Sequence, residues 1–395
     1  MSRKRISLLL LTLLLVPIFL TACWDRTEVN DIAIVVASSI DLEENGQYRV
    51  SVQVPLPGQL GGSGSSGGGG GTSGEKGYYV DSAVGSTVRE ANDKVQQRMS
   101  RRLFMGHRRV LIIGEELARK VGIRQLFDVI TRVPENRLTA SIVVAKGKGY
   151  ELLNAQPRFE RYSSEAIREI LQSESVINVT MKDASQWLSK RGADPIVPYL
   201  APVKSQKGEK NSIETQFLGY AQFHGGKLVD VLQGDAAIGL HWARQNFKPY
   251  LATLNVGKIG PVTLNVYKGD IKITPSLTPT HVHFDVKTDA YAYLIETLSD
   301  ADFELEANVK QVENALNDSI HEAILMTLNS VKTYETDSAS LGLTLARRYP
   351  RQWTERYSQD WYAELHKATF SIHTSATLER VGLVSRNPAA LESGK

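Results

Sequence analysis

The chain has 395 residues, 42% hydrophobic and 23% charged, which is enough for two or three globular domains. Its formal net charge of +3 excludes the strongly one-sided field that nucleic acids or highly acidic substrates attract. The single cysteine, Cys23, excludes a disulfide bond within the chain.

The N-terminal segment has the layout of a secretory signal peptide. Residues 1–5 carry three basic side chains, residues 6–19 are uncharged and rich in leucine, and Leu20-Thr21-Ala22-Cys23 follows. These last four residues resemble a bacterial lipobox, in which the chain is cut before the cysteine and the thiol receives a diacylglyceryl group. The alternative is an uncleaved spanning helix, because the uncharged stretch is long enough. We expect residues 1–22 to be a lipoprotein signal peptide and Cys23 to be the lipid attachment site.

Residues 23–192 are predicted to form an N-terminal α/β domain that begins with a hairpin. The turn signal Asn45-Gly46 separates an apolar run, residues 31–40, from an alternating run, residues 47–56. Residues 58–77 contain 11 of the 31 glycines and are predicted to form a flexible loop. The periodicity then predicts helices over residues 82–103, 115–132, 163–172 and 183–190, and strands over residues 109–113 and 138–146.

The second half of the chain is predicted to be α+β. Prolines and polar residues indicate a linker over residues 193–213, and residues 386–395 form a tail. Residues 214–385 are predicted to form one C-terminal domain or two subdomains, with an antiparallel sheet and a long helix. Strands are predicted over residues 215–223, 227–233, 261–267, 270–275, 280–287 and 368–380, and helices over residues 302–332, 340–348 and 351–366. The fold class is therefore a multi-domain, mixed α/β arrangement of the α+β type.

Enzyme motifs are weak throughout the sequence. Residues 64–68 match a nucleophile elbow and residues 73–76 match a serine–lysine pattern, but both chemistries need a rigid turn or helix start, which a glycine-rich loop does not offer. No dinucleotide fingerprint, phosphate-binding loop or HExxH motif occurs. We therefore predict no enzymatic activity, and assign no catalytic or cofactor-binding residue and no cofactor.

One short segment carries residues suited to a metal. His281, His283 and Asp285 fall on one face if the segment is a strand, and two imidazoles with a carboxylate suit zinc or iron. Alternation with Val282 and Phe284 is also what a half-solvated strand shows. We assign no metal ligand here, because a fourth group would have to converge from elsewhere.

A basic cluster lies between a predicted helix and the next strand. Its members are Arg98, Arg101, Arg102, His107, Arg108 and Arg109. One interpretation is contact with anionic lipid headgroups, which attract each nearby basic residue by about 1 kcal/mol. The other is a solvated surface whose charges complement a helix C-terminus.

Aromatic residues stud the helix predicted over residues 351–366. Trp353, Tyr357 and Trp361 recur at intervals of four and so form one stripe, beside Tyr362. A stripe of this kind packs into a core, or alternatively forms a ridge that binds a partner.

The chain resembles the Ger(x)C family, the C-subunit lipoproteins of spore germinant receptors. The resemblance covers most of the sequence after the lipobox, and the order and spacing of its three parts make it specific. The parts are Cys23-Trp24-Asp25-Arg26 with Glu28; Gly106-His107-Arg108-Arg109-Val110-Leu111-Ile112-Ile113-Gly114-Glu115-Glu116-Leu117-Ala118; and Pro350-Arg351-Gln352-Trp353 with Trp361 and Arg380-Val381-Gly382. Residues 58–77 and Asp337-Ser338-Ala339-Ser340-Leu341-Gly342 depart from the family pattern.

The resemblance implies a non-enzymatic lipoprotein on the outer face of the spore inner membrane, with a multi-domain mixed α/β fold. Its implied partners are two membrane proteins, an A subunit with several spanning helices and a B subunit similar to amino-acid transporters. Together they would sense small nutrients such as amino acids or sugars and trigger germination. Nucleic acid is not an implied partner, and direct binding of a small molecule by this subunit stays open.

Two other classes of protein compete with this interpretation. A solute-binding lipoprotein of a transporter would show two doubly wound lobes with repeated βα units, which the antiparallel second half does not favour. A surface hydrolase would need a nucleophile and a base held in place, and the sequence does not indicate them.

Overall fold

An eight-stranded mixed sheet organises the first part of the chain. The computed structural model describes residues 28–56, 77–206 and 212–380. The strands are β1 (Ile32–Ile34), β2 (Ala37–Leu42), β3 (Tyr48–Pro55), β4 (Tyr78–Gly85), β5 (Arg102–Phe104), β6 (Val110–Gly114), β7 (Ser141–Ala145), β8 (Ile196–Lys204), β9 (Ile213–His224) and β10 (Lys227–Gln233). The sheet order is β10-β9-β8-β7-β6-β2-β3-β4, while β1 and β5 pair separately as a two-stranded parallel sheet.

Six helices connect and cover these strands. They are α1 (Val88–Gln96), α2 (Glu115–Lys120), α3 (Arg124–Arg132), α4 (Gly149–Leu153), α5 (Ser163–Gln172) and α6 (Met181–Ser189). The central strands β2, β6, β7 and β8 are parallel. β6 is buried along its whole length, as its continuous apolar sequence requires of a parallel strand covered on both faces.

The helix predicted over residues 82–103 is present, but it covers only Val88–Gln96, so both predicted bounds are wrong. Residues up to Gly85 belong to β4, which pairs with β3, and the helix begins only after Thr87, whose side chain accepts a hydrogen bond from the Glu90 N–H. Residues 102–104 are already strand β5. The apolar residues recur at every fourth position across the whole range, so periodicity alone extended the helix into the preceding strand. Thr87, a residue type that favours the N-cap position, marks where the strand ends and the helix begins.

The segment predicted as a linker, residues 193–213, contains strand β8, which lies inside the eight-stranded sheet. Proline has no backbone N–H to donate to a neighbouring strand. Pro198 and Pro202 are tolerated in β8 because β8 pairs with β7 only at Tyr199 and Leu200. The hairpin of β9 and β10 was predicted and is confirmed, with Gly225 and Gly226 both at positive φ. It extends the first sheet, however, and not the sheet of the C-terminal half.

A four-stranded sheet and four helices, one of them long, make up most of the described residues after β10. The strands are β11 (Tyr250–Val256), β12 (Gly260–Leu277), β13 (Val282–Thr297) and β14 (Thr369–Arg380), in that order. The helices are α7 (Asp235–Ala243), α8 (Glu306–Thr333), α9 (Leu341–Arg348) and α10 (Trp361–Lys367). The first three strands are antiparallel, and β14 joins β13 in parallel.

The long helix was predicted, and α8 confirms it. Its apolar positions are buried against the four-stranded sheet, namely Val312, Leu316, Ile320, Ile324, Leu328 and Val331. The strands predicted over residues 261–267 and 270–275 are one strand, β12, with an irregular register near Val266. The helix predicted over residues 351–366 is wrong as a single helix, because a π-helical turn, Trp353–Tyr357, separates a short turn, Pro350–Gln352, from α10.

The α+β class, with several sheets and helices of mixed type, is confirmed. The described residues form an eight-stranded mixed sheet, a four-stranded sheet and a two-stranded parallel sheet, and this differs from the two doubly wound lobes expected of a transporter's solute-binding protein. Across the same residues, no helix has the length and apolar character that spanning a membrane requires.

Candidate functional sites

The expected lipid attachment residue, Cys23, lies outside the described residues. The first described residues lead through a short turn, Val29–Asp31, into β1. β1 pairs in parallel with β5, with Ile32 opposite Arg102. The start of the described chain is therefore held beside the two-stranded sheet, at one edge of the N-terminal part.

The structure divides the basic cluster into exposed and buried members. Arg98 pairs with Asp81 at 2.9 Å, Arg102 pairs with Glu135 at 2.8 Å, and Arg109 pairs with Glu165. Arg108 behaves differently, because only 8% of it is exposed. Its guanidinium therefore does not belong to the surface on which the other arginines lie.

The residues considered for a metal are engaged in other contacts. Thr369 is hydrogen-bonded to His283 at 2.8 Å, and Asp285 lies 3.4 Å from both Lys287 and His373. Within the described ranges, no group of three His, Cys, Asp or Glu side chains has the arrangement of a metal site. Alternate residues of β13 are buried, as a half-solvated strand requires.

The aromatic stripe faces the core, which confirms the first of its two interpretations. Tyr357 and Trp361 are buried, and the rings of Trp353 and Trp361 meet edge to face at 5.3 Å. Both tryptophans pack against the cluster that covers the four-stranded sheet. Trp361 also uses its indole N–H for a specific contact with Asp337.

Asp337 is the centre of a buried polar cluster that joins the two parts of the chain. Its carboxylate accepts hydrogen bonds from the N–H groups of Leu341 at 2.7 Å and Gly342 at 2.8 Å, and from the indole of Trp361 at 2.8 Å. Its own N–H donates to the carboxylate of Asp194 at 2.8 Å. Burial raises the pKa of Asp337 to about 7, although the three donors oppose this shift.

Asp194 supplies the other side of this junction. Its N–H donates to the Asp337 carbonyl at 2.9 Å, and Tyr362 donates to its carboxylate at 3.1 Å. Burial raises the pKa of Asp194 as well. The backbones meet so closely that a Cβ on Gly342 would lie 2.4 Å from the Cα of Gly192, so glycine is required there.

Arg244 crosses the same junction. It donates a hydrogen bond to the Ser338 carbonyl, and its guanidinium lies 4.1 Å from the ring centre of Trp187. Burial lowers the pKa of Arg244 to about 10, and the carboxylates of three aspartates, Asp337 first among them, oppose this shift. The cluster of Asp194, Arg244 and Asp337 therefore ties the two sheets together through compensated charges.

Sequence reasoning did not identify this junction. Residues 337–342 drew attention only as a departure from a family pattern, and Asp194 fell inside the supposed linker. The partners Asp194 and Asp337 are 143 residues apart, so neither local periodicity nor a motif reports their contact.

Comparison with known proteins covers almost the whole described chain. Residues 25–202 match the family described as spore germination protein N-terminal domain, and residues 218–382 match the family described as spore germination B3/GerAC like, C-terminal. YfkR of Bacillus subtilis (strain 168) is 34% identical over 355 residues, which is 87% of this chain and 91% of that protein. Spore germination protein KC of the same organism is 28% identical over 407 aligned residues, covering 97% of each.

A solved structure supports the fold. The crystal structure of the GerBC protein superposes with a TM-score of 0.58 at 16% sequence identity, and covers 87% of this chain and 96% of that one. The similarity of fold agrees with the two family matches and their order along the sequence. The chain therefore belongs to the Ger(x)C family of spore germination proteins.

Proposed function

We propose that this protein is the lipid-anchored, non-catalytic C subunit of a nutrient germinant receptor. The observation that supports this most is the pair of family matches, which begins at residue 25, two residues after Cys23, and reaches residue 382. A chain cut before Cys23 would start two residues ahead of the first match. The lipobox and the family matches thus support the same mature N-terminus.

The geometry of β1 adds a spatial consequence to an anchor at Cys23. Nine residues lead from Cys23 to Ile32, which pairs with Arg102 in β5. A fully extended chain spans at most about 3.6 Å per residue, so Ile32 would lie no more than roughly 32 Å from the lipid attachment point. The two-stranded sheet would then lie within this distance of the lipid on the outer face of the spore inner membrane.

The proposed partners are the A and B membrane subunits of the receptor. An anchored C subunit is confined to the plane of the membrane beside them, which raises its effective concentration without a tight soluble interface. In this proposal the assembly senses small nutrients such as amino acids or sugars, and the present subunit contributes binding surface and not catalysis.

The anchor is tested with the variant Cys23→Ala, using Ser7→Ala in the same segment as the matched control. A fatty-acid label should enter the wild type and Ser7→Ala but not Cys23→Ala, because only the cysteine thiol accepts the lipid. Cys23→Ala should also be lost from the spore membrane fraction. Equal labelling and equal membrane recovery of the two variants would refute the anchor at Cys23.

The assembly is tested by purification from spore membranes. The tagged full-length chain should recover two membrane proteins of the A and B kinds, and its deletion should abolish the germination response to the nutrient of that receptor. Recovery of a permease with an ATPase would support the transporter alternative instead. Recovery of the chain alone, under conditions that keep other receptors intact, would contradict the proposed assembly.

A further inference from the structure

Arg108 is a buried cation that the described chain leaves without an acidic partner. Its guanidinium donates to Ser38 Oγ at 3.2 Å and approaches the sulfur of Met181 at 3.7 Å, while its Nε–H has no acceptor. Burial lowers the pKa of Arg108 to about 10, with no carboxylate in the described part of the chain opposing the shift. The side chain therefore stays charged at neutral pH.

The surroundings of Arg108 do not compensate this charge. The neighbouring acidic side chains are engaged elsewhere, Asp93 with Arg89 at 3.0 Å and Glu135 with Arg102 at 2.8 Å. Asp183, in the first turn of α6 close to Met181, is engaged in the capping box with Thr180. An isolated buried charge is costly unless it is paired, which indicates a missing anionic partner.

A cavity of about 70 Å³ lies against Arg108. Its wall also includes Ser38, Asn92 and Asn136, among apolar side chains. The Oδ1 atoms of both asparagines are buried without a hydrogen-bond donor. The amide of Asn136 is oriented by the bond from its Nδ2 to the Ile130 carbonyl at 2.9 Å, which leaves Oδ1 as the free acceptor.

The cavity adjoins a larger cleft. Arg89, Asn92, Met105 and Val133 line both the cavity and a neighbouring cleft of about 440 Å³. The cleft lies between α1, β5 and the segment after α3, where Arg102 and Glu135 are partly exposed. The cavity itself is partly open, so a small molecule from solution can reach the side chains that line it.

We propose that this cavity binds a small carboxylate that carries an adjacent hydrogen-bond donor, the chemistry of a short hydroxy acid or amino acid. A guanidinium offers a planar fork of donors that matches a carboxylate. The two unpaired asparagine oxygens require O–H or N–H donors from the same ligand. Water would satisfy the asparagines but would leave the charge of Arg108 uncompensated, and the cavity volume admits only a few non-hydrogen atoms.

The test measures binding to the full-length protein in detergent by calorimetry and by the midpoint of thermal unfolding. The probes are glycolate, glycine, acetate, inorganic phosphate and chloride, at equal ionic strength. Glycolate or glycine should bind saturably and raise the midpoint, since a ligand specific for the folded state stabilises it. Acetate, which lacks the donor, should bind about 2–10-fold more weakly, the effect of one unmade hydrogen bond.

Three variants localise the effect. Arg108→Met should weaken binding about 10–100-fold, because it removes a charge-assisted hydrogen bond. Asn92→Asp places a carboxylate in the cavity wall, so it should fold well and still lose the response to added carboxylates. Arg109→Gln removes the same charge one residue away, from an exposed ion pair, and should bind as the wild type does.

The remaining outcomes overturn the proposal. Binding of phosphate alone would assign the cavity to a phosphate group, whether free or on a lipid headgroup. Equal stabilisation of the wild type and Arg108→Met would show a general salt effect. A wild type that binds none of the probes would show that the cavity holds only water.

Discussion

Arg108 is buried and Arg244 is partly buried, yet the protein treats their charges in opposite ways. Arg244 stacks on Trp187 at 4.1 Å, donates to the Ser338 carbonyl and lies in the field of three aspartates. Arg108 has a hydroxyl and a sulfur for partners and a cavity beside it. The charge of Arg244 is compensated by the chain itself, whereas the charge of Arg108 is left for the proposed ligand to compensate.

The difference separates a structural charge from a binding charge. The Arg244 cluster connects Trp187 and Asp194 of the first part with residues 337–342 of the second part, so its compensation holds the two parts in one arrangement. Arg108 lies within one part and bridges nothing across the junction. A buried charge that is compensated only by a ligand makes the stability of its region depend on that ligand.

The largest effect is expected from removing the compensated arginine. Arg244→Met loses a charge-assisted hydrogen bond and a cation–π contact, and should lower the free energy of unfolding by about 2–4 kcal/mol. Urea unfolding, followed by tryptophan fluorescence, measures the change. The exposed Asp289→Ala on β13 is the control and should stay within about 0.5 kcal/mol of the wild type. If Arg244→Met lowers the free energy of unfolding no more than the control does, Arg244 is not a stabilising charge and does not differ from Arg108 in this respect.

A second effect concerns pH at the junction. The folded pKa of Asp337, about 7, is raised above its ordinary value of 3.8, so its stabilising contribution is full below pH 3.8 and is lost as pH rises through 7. The wild type should lose roughly 2 kcal/mol relative to Asp337→Asn between pH 5 and pH 8. The wild type is compared with Asp337→Asn because other groups also make the stability depend on pH. Burial lowers the pKa of His241 to about 4, so this residue removes stability as pH falls from 6.5 in both proteins.

Denaturation curves of both proteins at several pH values give this difference directly. Only the change of this difference with pH is diagnostic, because the amide of Asp337→Asn disturbs the hydrogen bonds equally at every pH and so adds a constant offset. Parallel pH profiles for the wild type and Asp337→Asn would mean that Asp337 stays ionised in the folded protein. The three N–H donors would then outweigh the burial of the carboxylate.

A smaller effect comes from giving Arg108 the partner that it lacks. Asn92→Asp introduces a carboxylate into the wall of its cavity and should raise the stability of the ligand-free protein by about 1 kcal/mol. Thermal and urea unfolding in chloride buffer measure the gain. Asn45→Asp, in the exposed turn before β3, is the matched control and should change little. Destabilisation by Asn92→Asp would show that the region does not lack negative charge.

The sequence predicts the fold where periodicity is local. Helix α8 follows from its apolar spacing, and the β9–β10 hairpin follows from Gly225 and Gly226. Helix α7 was not predicted, because most of its residues are apolar and it shows no amphipathic pattern. It packs closely against α8 at Gly239, where a Cβ would overlap the Ala323 carbonyl. Strand β8 was not predicted, because its prolines are more typical of a linker than of a strand.

The candidate sites were less predictable, since long-range contacts create them. In the sequence Arg108 is one of six neighbouring basic residues, and nothing local distinguishes it from Arg109. Its burial follows from contacts with Ser38, 70 residues earlier, and Met181, 73 residues later. The junction depends likewise on residues 143 positions apart. The anchor at Cys23 and the domain limits at residues 192 and 214 stay predictions.

The smallest effect is expected where an arginine is most buried. Arg108→Met replaces an uncompensated charge with an apolar side chain of similar length, and such replacements are often neutral or stabilising. In ligand-free buffer its free energy of unfolding should stay within about 1 kcal/mol of the wild type, or rise. Urea unfolding beside Arg109→Gln and Arg244→Met makes the comparison. A loss as large as that of Arg244→Met would mean that Ser38 and Met181 already compensate Arg108, and that its charge serves the fold and not a ligand.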